Sequence, residues 1–195
     1  MRLPATLLAL CLPATLSGQA RYTATVGLTA GTQLVKDQIF QTVRVGQKLA
    51  PTATLGVSLP VSARERAGLE VTFGFGRTRI KESGLPEADG PRYRTLSVTA
   101  GVQGPILDRL SLRASAGVLK YLADDSGIFR GGGPLLFLLG GGADFRLPVR
   151  GAVGLIARLR YDYQRFSTNA LEAAGFSRSQ DVHRLGLGLG VEYSP

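Results

Sequence analysis

Few residues of this chain have the type and spacing to do chemistry. It holds one histidine, His183, and one cysteine, Cys11, in 195 residues. His183 falls in phase with Leu185 and Leu187, and with the partners that triad logic requires missing it reads as interfacial packing rather than catalysis. Asp124 and Asp125 are adjacent and point apart in an extended chain. With no Cys/His ligand set either, no metal site and no cofactor is expected. Asp125-Ser126 reads as a turn. The runs Gly131–Gly133 and Gly140–Gly142 lack the Lys-Ser/Thr that completes a phosphate loop. What is left is a set of charges inside otherwise small or apolar segments: Glu70, Arg113, Asp144, Arg158, Arg160, Asp162 and Glu192, with Arg77 and Arg184. What these do depends on which face of their segments they occupy.

The segments alternate with a period of two. In YTATVGLTAG, Tyr22, Ala24, Val26, Leu28 and Ala30 share one face and Thr23, Thr25, Gly27, Thr29 and Gly31 the other. That is a β-strand between unlike environments. The pattern returns at Ala53–Val61, Leu69–Phe75, Leu96–Val102, Leu110–Val118, Leu135–Phe145, Val153–Tyr163 and Leu185–Tyr193. The sixth segment is the weakest, because LLFLL is apolar on both faces. A soluble barrel would place large apolar residues inside and Lys, Glu and Asp outside. Here one face is greasy while the other is Thr, Ser and Gly, which fits a barrel that is apolar toward lipid and small and polar toward a narrow lumen. The charges above then fall on lumen faces. Glu70, Arg113, Asp144 and Glu192 are expected to form one cluster toward one end, with Arg77, Arg158, Arg160, Asp162 and Arg184 from mid-height upward. Charges in such a lumen must pair or meet water.

The connections alternate between long and short. Val35–Ala50, Thr78–Arg94, Leu119–Gly133 and Gln164–Val182 are long; Ser62–Arg66, Gly104–Arg109 and Pro148–Gly151 are short. Up-and-down antiparallel strands put every second connection at the same end, and membrane barrels keep their short turns in the periplasm. An even strand count then places both termini there. Closure removes the unpaired edges that lipid does not tolerate.

Residues 1–20 read as a secretory signal: Arg2, a short apolar run, and Gly18-Gln19-Ala20 as the cleavage site. Residues 21–195 are then one barrel domain without cysteine. No later stretch offers ~18 uninterrupted apolar residues for a membrane helix. The formal charge is +9, or +8 once Arg2 is removed. Secretion argues against nucleic acid as the partner. Several cations, among them Lys48, Arg77, Arg92 and Arg94, fall where the outer rim should be, level with lipopolysaccharide phosphates. Nearby acidic residues such as Asp89 and Glu87 equally suit a plain solvated loop surface.

These features resemble the small eight-stranded outer-membrane barrels of Gram-negative-type bacteria, the group that includes the OmpX- and OmpA-type transmembrane domains. The resemblance spans the mature chain and rests on architecture. It implies an all-β, eight-stranded antiparallel up-and-down transmembrane barrel in the outer membrane, in contact with outer-membrane lipid and inserted by the barrel-assembly machinery. It also implies aromatic girdles: Tyr22, Phe145 and Tyr193 at the periplasmic edge, and Phe75, Tyr93, Tyr121, Phe137, Tyr161 and Tyr163 at the outer one. Tyr193 stands where such barrels end on an aromatic residue, displaced by Ser194 and Pro195. Some barrels of this group act on lipid A. The His-x-Ser element of the deacylase is absent here, and Asp125-Ser126 has no histidine in the first long loop, so no enzyme is expected. The expected role is structural or interactive through the outer loops, over a lumen plugged by charged side chains. A narrow or gated pore for small solutes is the alternative, and a lipid A-modifying enzyme the third reading. The extracellular partner is not legible.

Overall fold

The computed structural model describes residues 20–36, 43–123, 127–129, 133–173 and 180–195. Residues 1–19 of the signal segment, Cys11 among them, and Asp124, Asp125, Ser126, Gly131 and Gly132 lie outside the described residues. Each alternating segment forms a strand: β1 (Arg21–Gly31), β2 (Val35–Lys36), β3 (Val43–Gln47), β4 (Ala50–Pro60), β5 (Arg66–Glu82), β6 (Ala88–Leu107), β7 (Leu110–Ala123), β8 (Leu135–Arg150), β9 (Val153–Phe166) and β10 (Gln180–Tyr193). A short helix, α1 (Asn169–Ala173), lies between β9 and β10.

Eight strands close on themselves in the order β1-β4-β5-β6-β7-β8-β9-β10, every pair antiparallel and β10 returning to β1. The small strands β2 and β3 pair with each other and add to the far end of β5, where Val45 faces Ile80. The paired residues run once around the wall from Arg21 through Ser58, Gly68, Gly101, Ser115, Gly140, Asp162 and Arg184 to Gly31, ten positions along the strand where the circuit began. With ordinary strand spacings, that stagger over eight strands tilts them about 40° from the axis.

Large apolar side chains cover the outside. Val26, Leu187 and Leu189 are each more than two-thirds exposed, and Phe137 nearly so. So continuous an apolar exterior exceeds any patch a soluble monomer carries. No helix among the described residues is long and apolar enough to cross a membrane.

Short turns gather at one end, here the turn end, and the longer connections at the other, the loop end. In the first short turn, Ser62 Oγ accepts hydrogen bonds from the backbone N–H groups of Arg64 and Glu65 (3.3 and 3.0 Å). The β8–β9 turn needs Gly151 at φ 56°, a left-handed conformation that costs glycine little. The segment from Thr78 to Arg94 is largely strand: β5 continues to Glu82 and β6 begins at Ala88, so only residues 83–87 turn. The first long connection likewise contains β2 and β3.

Candidate functional site in the barrel lumen

The inward faces stack in tiers. At the turn end, Glu192 accepts from Arg146 Nε (2.9 Å) and pairs with Arg21 (3.3 Å). Arg146 also donates to Ser111 Oγ (2.7 Å) and Gln103 Oε1 (3.0 Å). The next tier is a four-residue network. Arg158 grips Asp144 with two hydrogen bonds (2.8 and 2.9 Å) and reaches Glu70 at 2.7 Å. Arg113 binds both oxygens of Glu70, one at 2.7 Å, and stands 4.0 Å from Asp144. All four are largely buried, Asp144 almost completely. Such burial is tolerable because each charge is paired and hydrogen-bonded.

At mid-height, Arg160 pairs with Asp162 (2.8 Å) and donates to Thr72 Oγ1 (2.6 Å), which in turn shares a hydrogen bond with Thr54 (2.9 Å). Buried Thr25, Thr95 and Ser97 line the same level. A cavity of about 30 Å³ remains among them.

The loop end is closed by apolar side chains. Tyr93, Tyr121, Phe129 and Phe166 are buried in mutual contact, with ring centroids 5.3 Å apart for Tyr121–Phe166 and 5.7 Å for Tyr121–Phe129. Leu34, Leu119, Leu138, Leu171 and Val182 pack around them. Polar edges are satisfied locally: Tyr93 O–H donates to Gln47 Oε1 (3.0 Å) and Gln164 Nε2 to the Tyr121 oxygen (2.6 Å). Thr168 anchors the last connection, donating to the Ile128 carbonyl (2.8 Å) and accepting from the N–H of Leu171 (3.2 Å).

The expected charge cluster therefore divides. Glu70, Arg113 and Asp144 come together, with Arg158 as their hub. Glu192 belongs instead to the separate turn-end set, because Arg21 and Arg146 lie nearer and claim both its oxygens. Arg21 and Arg146 were missed by the sequence reading, although Arg146 has the same parity as Asp144. Arg77 is not inward. It shares the outward parity of Phe75 and bonds Asp89 at 2.6 Å on the surface.

The aromatic residues divide as well. Tyr22 and Tyr193 face outward with stacked rings 6.5 Å apart, and Phe145, Phe75, Phe137 and Tyr161 are exposed on the same outer surface. Tyr163 is half-buried and donates to Asp181 (2.7 Å). Tyr93 and Tyr121 are corrections: both point inward and form the seal, since each sits in phase with its strand's lumen face. His183 faces outward between Tyr161 and Tyr163, its Nδ1 2.6 Å from the Tyr161 hydroxyl.

Outside the loop end, Arg77 lies opposite Arg92 and Phe75 opposite Arg94, which is flanked on its other side by Leu122. With Lys48 and Leu49 these residues line a surface groove of about 930 Å³. Two of its cations, Lys48 and Arg77, bond Asp89, whose pKa their hydrogen bonds hold below the ordinary aspartate value. Among the described residues, no group of three His, Cys, Asp or Glu side chains converges as a metal site.

No family model matches the chain, and no curated protein sequence matches it. Solved structures do. Neisserial surface protein A superposes with a TM-score of 0.60 at 15% identity, over 92% of this chain and 98% of that one. The outer membrane protein OprG of Pseudomonas aeruginosa gives 0.51 at 12% identity, over 89% and 94%. The fold is that of the small eight-stranded outer-membrane barrels. At these identities the likeness concerns architecture; what the lumen and rim do must be argued from this chain's own residues.

Proposed function

We propose that the protein is an integral outer-membrane barrel with a structural or surface-interaction role, closed to solutes and without enzymatic activity, with both termini in the periplasm. The observation that carries this reading is the pairing of an apolar exterior with a lumen blocked twice. Paired charges fill its lower half and an aromatic seal fills its upper end. A solute would have to displace Tyr121, Phe129 and Phe166 and then break the Arg158 network. Eight strands leave room for little beyond side chains in any case.

The basic groove around Arg77, Arg92 and Arg94 gives the interaction its chemistry. Like charges directly across two strands repel. Phosphate oxygens level with the rim would relieve that repulsion, while Phe75, Leu49 and Leu122 offer an apolar wall to the adjoining acyl chains. Outer-leaflet lipid is the partner this arrangement suits. His183, engaged with Tyr161 and flanked by rings, has no serine or carboxylate arranged as a catalytic partner among the described residues.

Conductance across planar bilayers tests the closed lumen. Purified, inserted protein should give no discrete steps; stable open-channel steps would overturn the reading in favour of a pore. A peptide tag in the 83–87 turn should be labelled on intact cells, and one at Arg64 should not. The reverse pattern would invert the orientation. Mass spectrometry of lipid A from expressing cells should show no change in acylation; a change would establish an enzyme.

A further inference from the structure

The mid-lumen charges do not balance. Arg113, Arg158, Arg160 and Arg184 face Glu70, Asp144 and Asp162. Glu70 and Asp144 are shared by Arg113 and Arg158, and Asp162 is turned to Arg160 although Arg184 is its cross-strand neighbour. Arg184 is left over. It is 6% exposed, forms no salt bridge among the described residues, and its buried Nε meets no hydrogen-bond acceptor of the protein. A charge withdrawn from water without a partner is destabilising even after relaxation. A sequence that retains one there has a reason to be asked for a counter-charge.

We propose that the cavity beside Arg184 binds one small monovalent anion of halide size. The side chain reaches from β10 across the lumen, its Nη2 lying 3.9 Å from where a side chain at Gly74 on β5 would begin. The cavity that it lines is about 30 Å³; hydroxyl-bearing side chains such as Thr25, Thr95 and Ser97 wall it, and Arg158, Arg160 and the Asp162 carboxylate, which is paired with Arg160, also border it. That space takes one or two water-sized particles. It excludes carboxylates, phosphates and sulfates by size, and the aromatic seal above and the ion pairs below bar larger ligands from entering. Hydroxyls can turn their protons toward an anion, and a guanidinium supplies several N–H donors in a fixed plane. With Asp162 held by Arg160, the site sets hydroxyl and guanidinium donors around Arg184, which has no salt-bridge partner of its own among the described residues. A water molecule would satisfy the hydrogen bond but not the charge. Gly27, Gly186 and Gly188 line it without side chains.

The test uses the whole barrel, refolded from denaturant in bromide so that the ion need not cross a closed lumen. Anomalous diffraction from crystals of that material should show one bromide in contact with the Arg184 guanidinium. Water alone at that position would overturn the proposal. Wild type refolded into detergent in gluconate instead of chloride, at constant ionic strength, should have a lower thermal midpoint, whereas Arg184→Gln refolded in the two salts should have the same one. Equal wild-type midpoints in the two salts would also overturn it. The bromide experiment needs no variant, so a failure of Arg184→Gln to fold does not shield the proposal.

Discussion

Glu70→Gln is the sharpest probe of the lumen network. Glu70 serves two arginines, holding Arg113 by both carboxylate oxygens and Arg158 by one at 2.7 Å. Neutralising it leaves Arg158 its two hydrogen bonds to Asp144 but leaves Arg113 with nothing nearer than Asp144 at 4.0 Å. One buried charge is stranded, which should cost about 3–4 kcal/mol. Arg113→Gln should cost less, about 2 kcal/mol, because Glu70 keeps Arg158 and loses only the charge-assisted bonds to Arg113. The double variant removes a matched pair and should cost about 1–2 kcal/mol less than the two singles together. Equilibrium urea unfolding of protein folded into lipid or detergent measures all three. Singles that add to the double within about 0.5 kcal/mol would refute the reasoning, because the groups would then stand independently in water. Near-zero single effects would point the same way and favour a water-filled lumen.

Leu187→Arg, on the exposed outer face, should cost about 2–4 kcal/mol in bilayers, read by the same unfolding assay. Gly190→Ala should cost about 1–3 kcal/mol, because its Cβ would fall 2.0 Å from the Ala24 carbonyl oxygen. Gly188→Ala, with its nearest neighbour at 3.3 Å, should cost clearly less in the same measurement. Asp89 has a folded pKa below its ordinary value, so its contribution to stability is present above the unfolded pKa and is lost as pH falls through the folded one. The loop-end protection of wild type, followed by hydrogen exchange from neutral pH downward, should weaken in that acidic window, and Asp89→Asn should flatten the dependence.

The strand parity carried most of the architecture. Glu70, Arg113, Asp144, Arg158 and Asp162 could be placed inside from alternation alone, because a period of two leaves only two faces and one of them was greasy. The errors came where parity was set aside. Tyr121 is in phase with Arg113 and Ser115, and Tyr93 with Thr95 and Ser97, yet both were assigned outward as aromatics at strand ends. Arg77 is in phase with Phe73 and Phe75, yet was assigned inward as a charge. The LLFLL ambiguity has the same origin: Leu136 and Leu138 are inward at the level where the lumen itself becomes apolar. The division of Glu192 from Glu70 was not legible, since partner choice depends on strand tilt and on which arginine heads reach across the lumen.

The seam between β1 and β10 has a consequence for the order of assembly. On its inner side Thr25 meets Gly190, Gly27 meets Gly188 and Thr29 meets Gly186, so between Glu192 and Arg184 the β10 lip presents no side chain to the interior. The Glu70–Arg113–Asp144–Arg158 network is drawn from β5, β7, β8 and β9, with no contribution from either lip. A curled, still open sheet can therefore complete that four-residue network before its two edges meet. Closure then adds backbone pairing and, across the seam, the Arg21–Glu192 ion pair, and the chain's first and last strands can be joined as the final act of insertion.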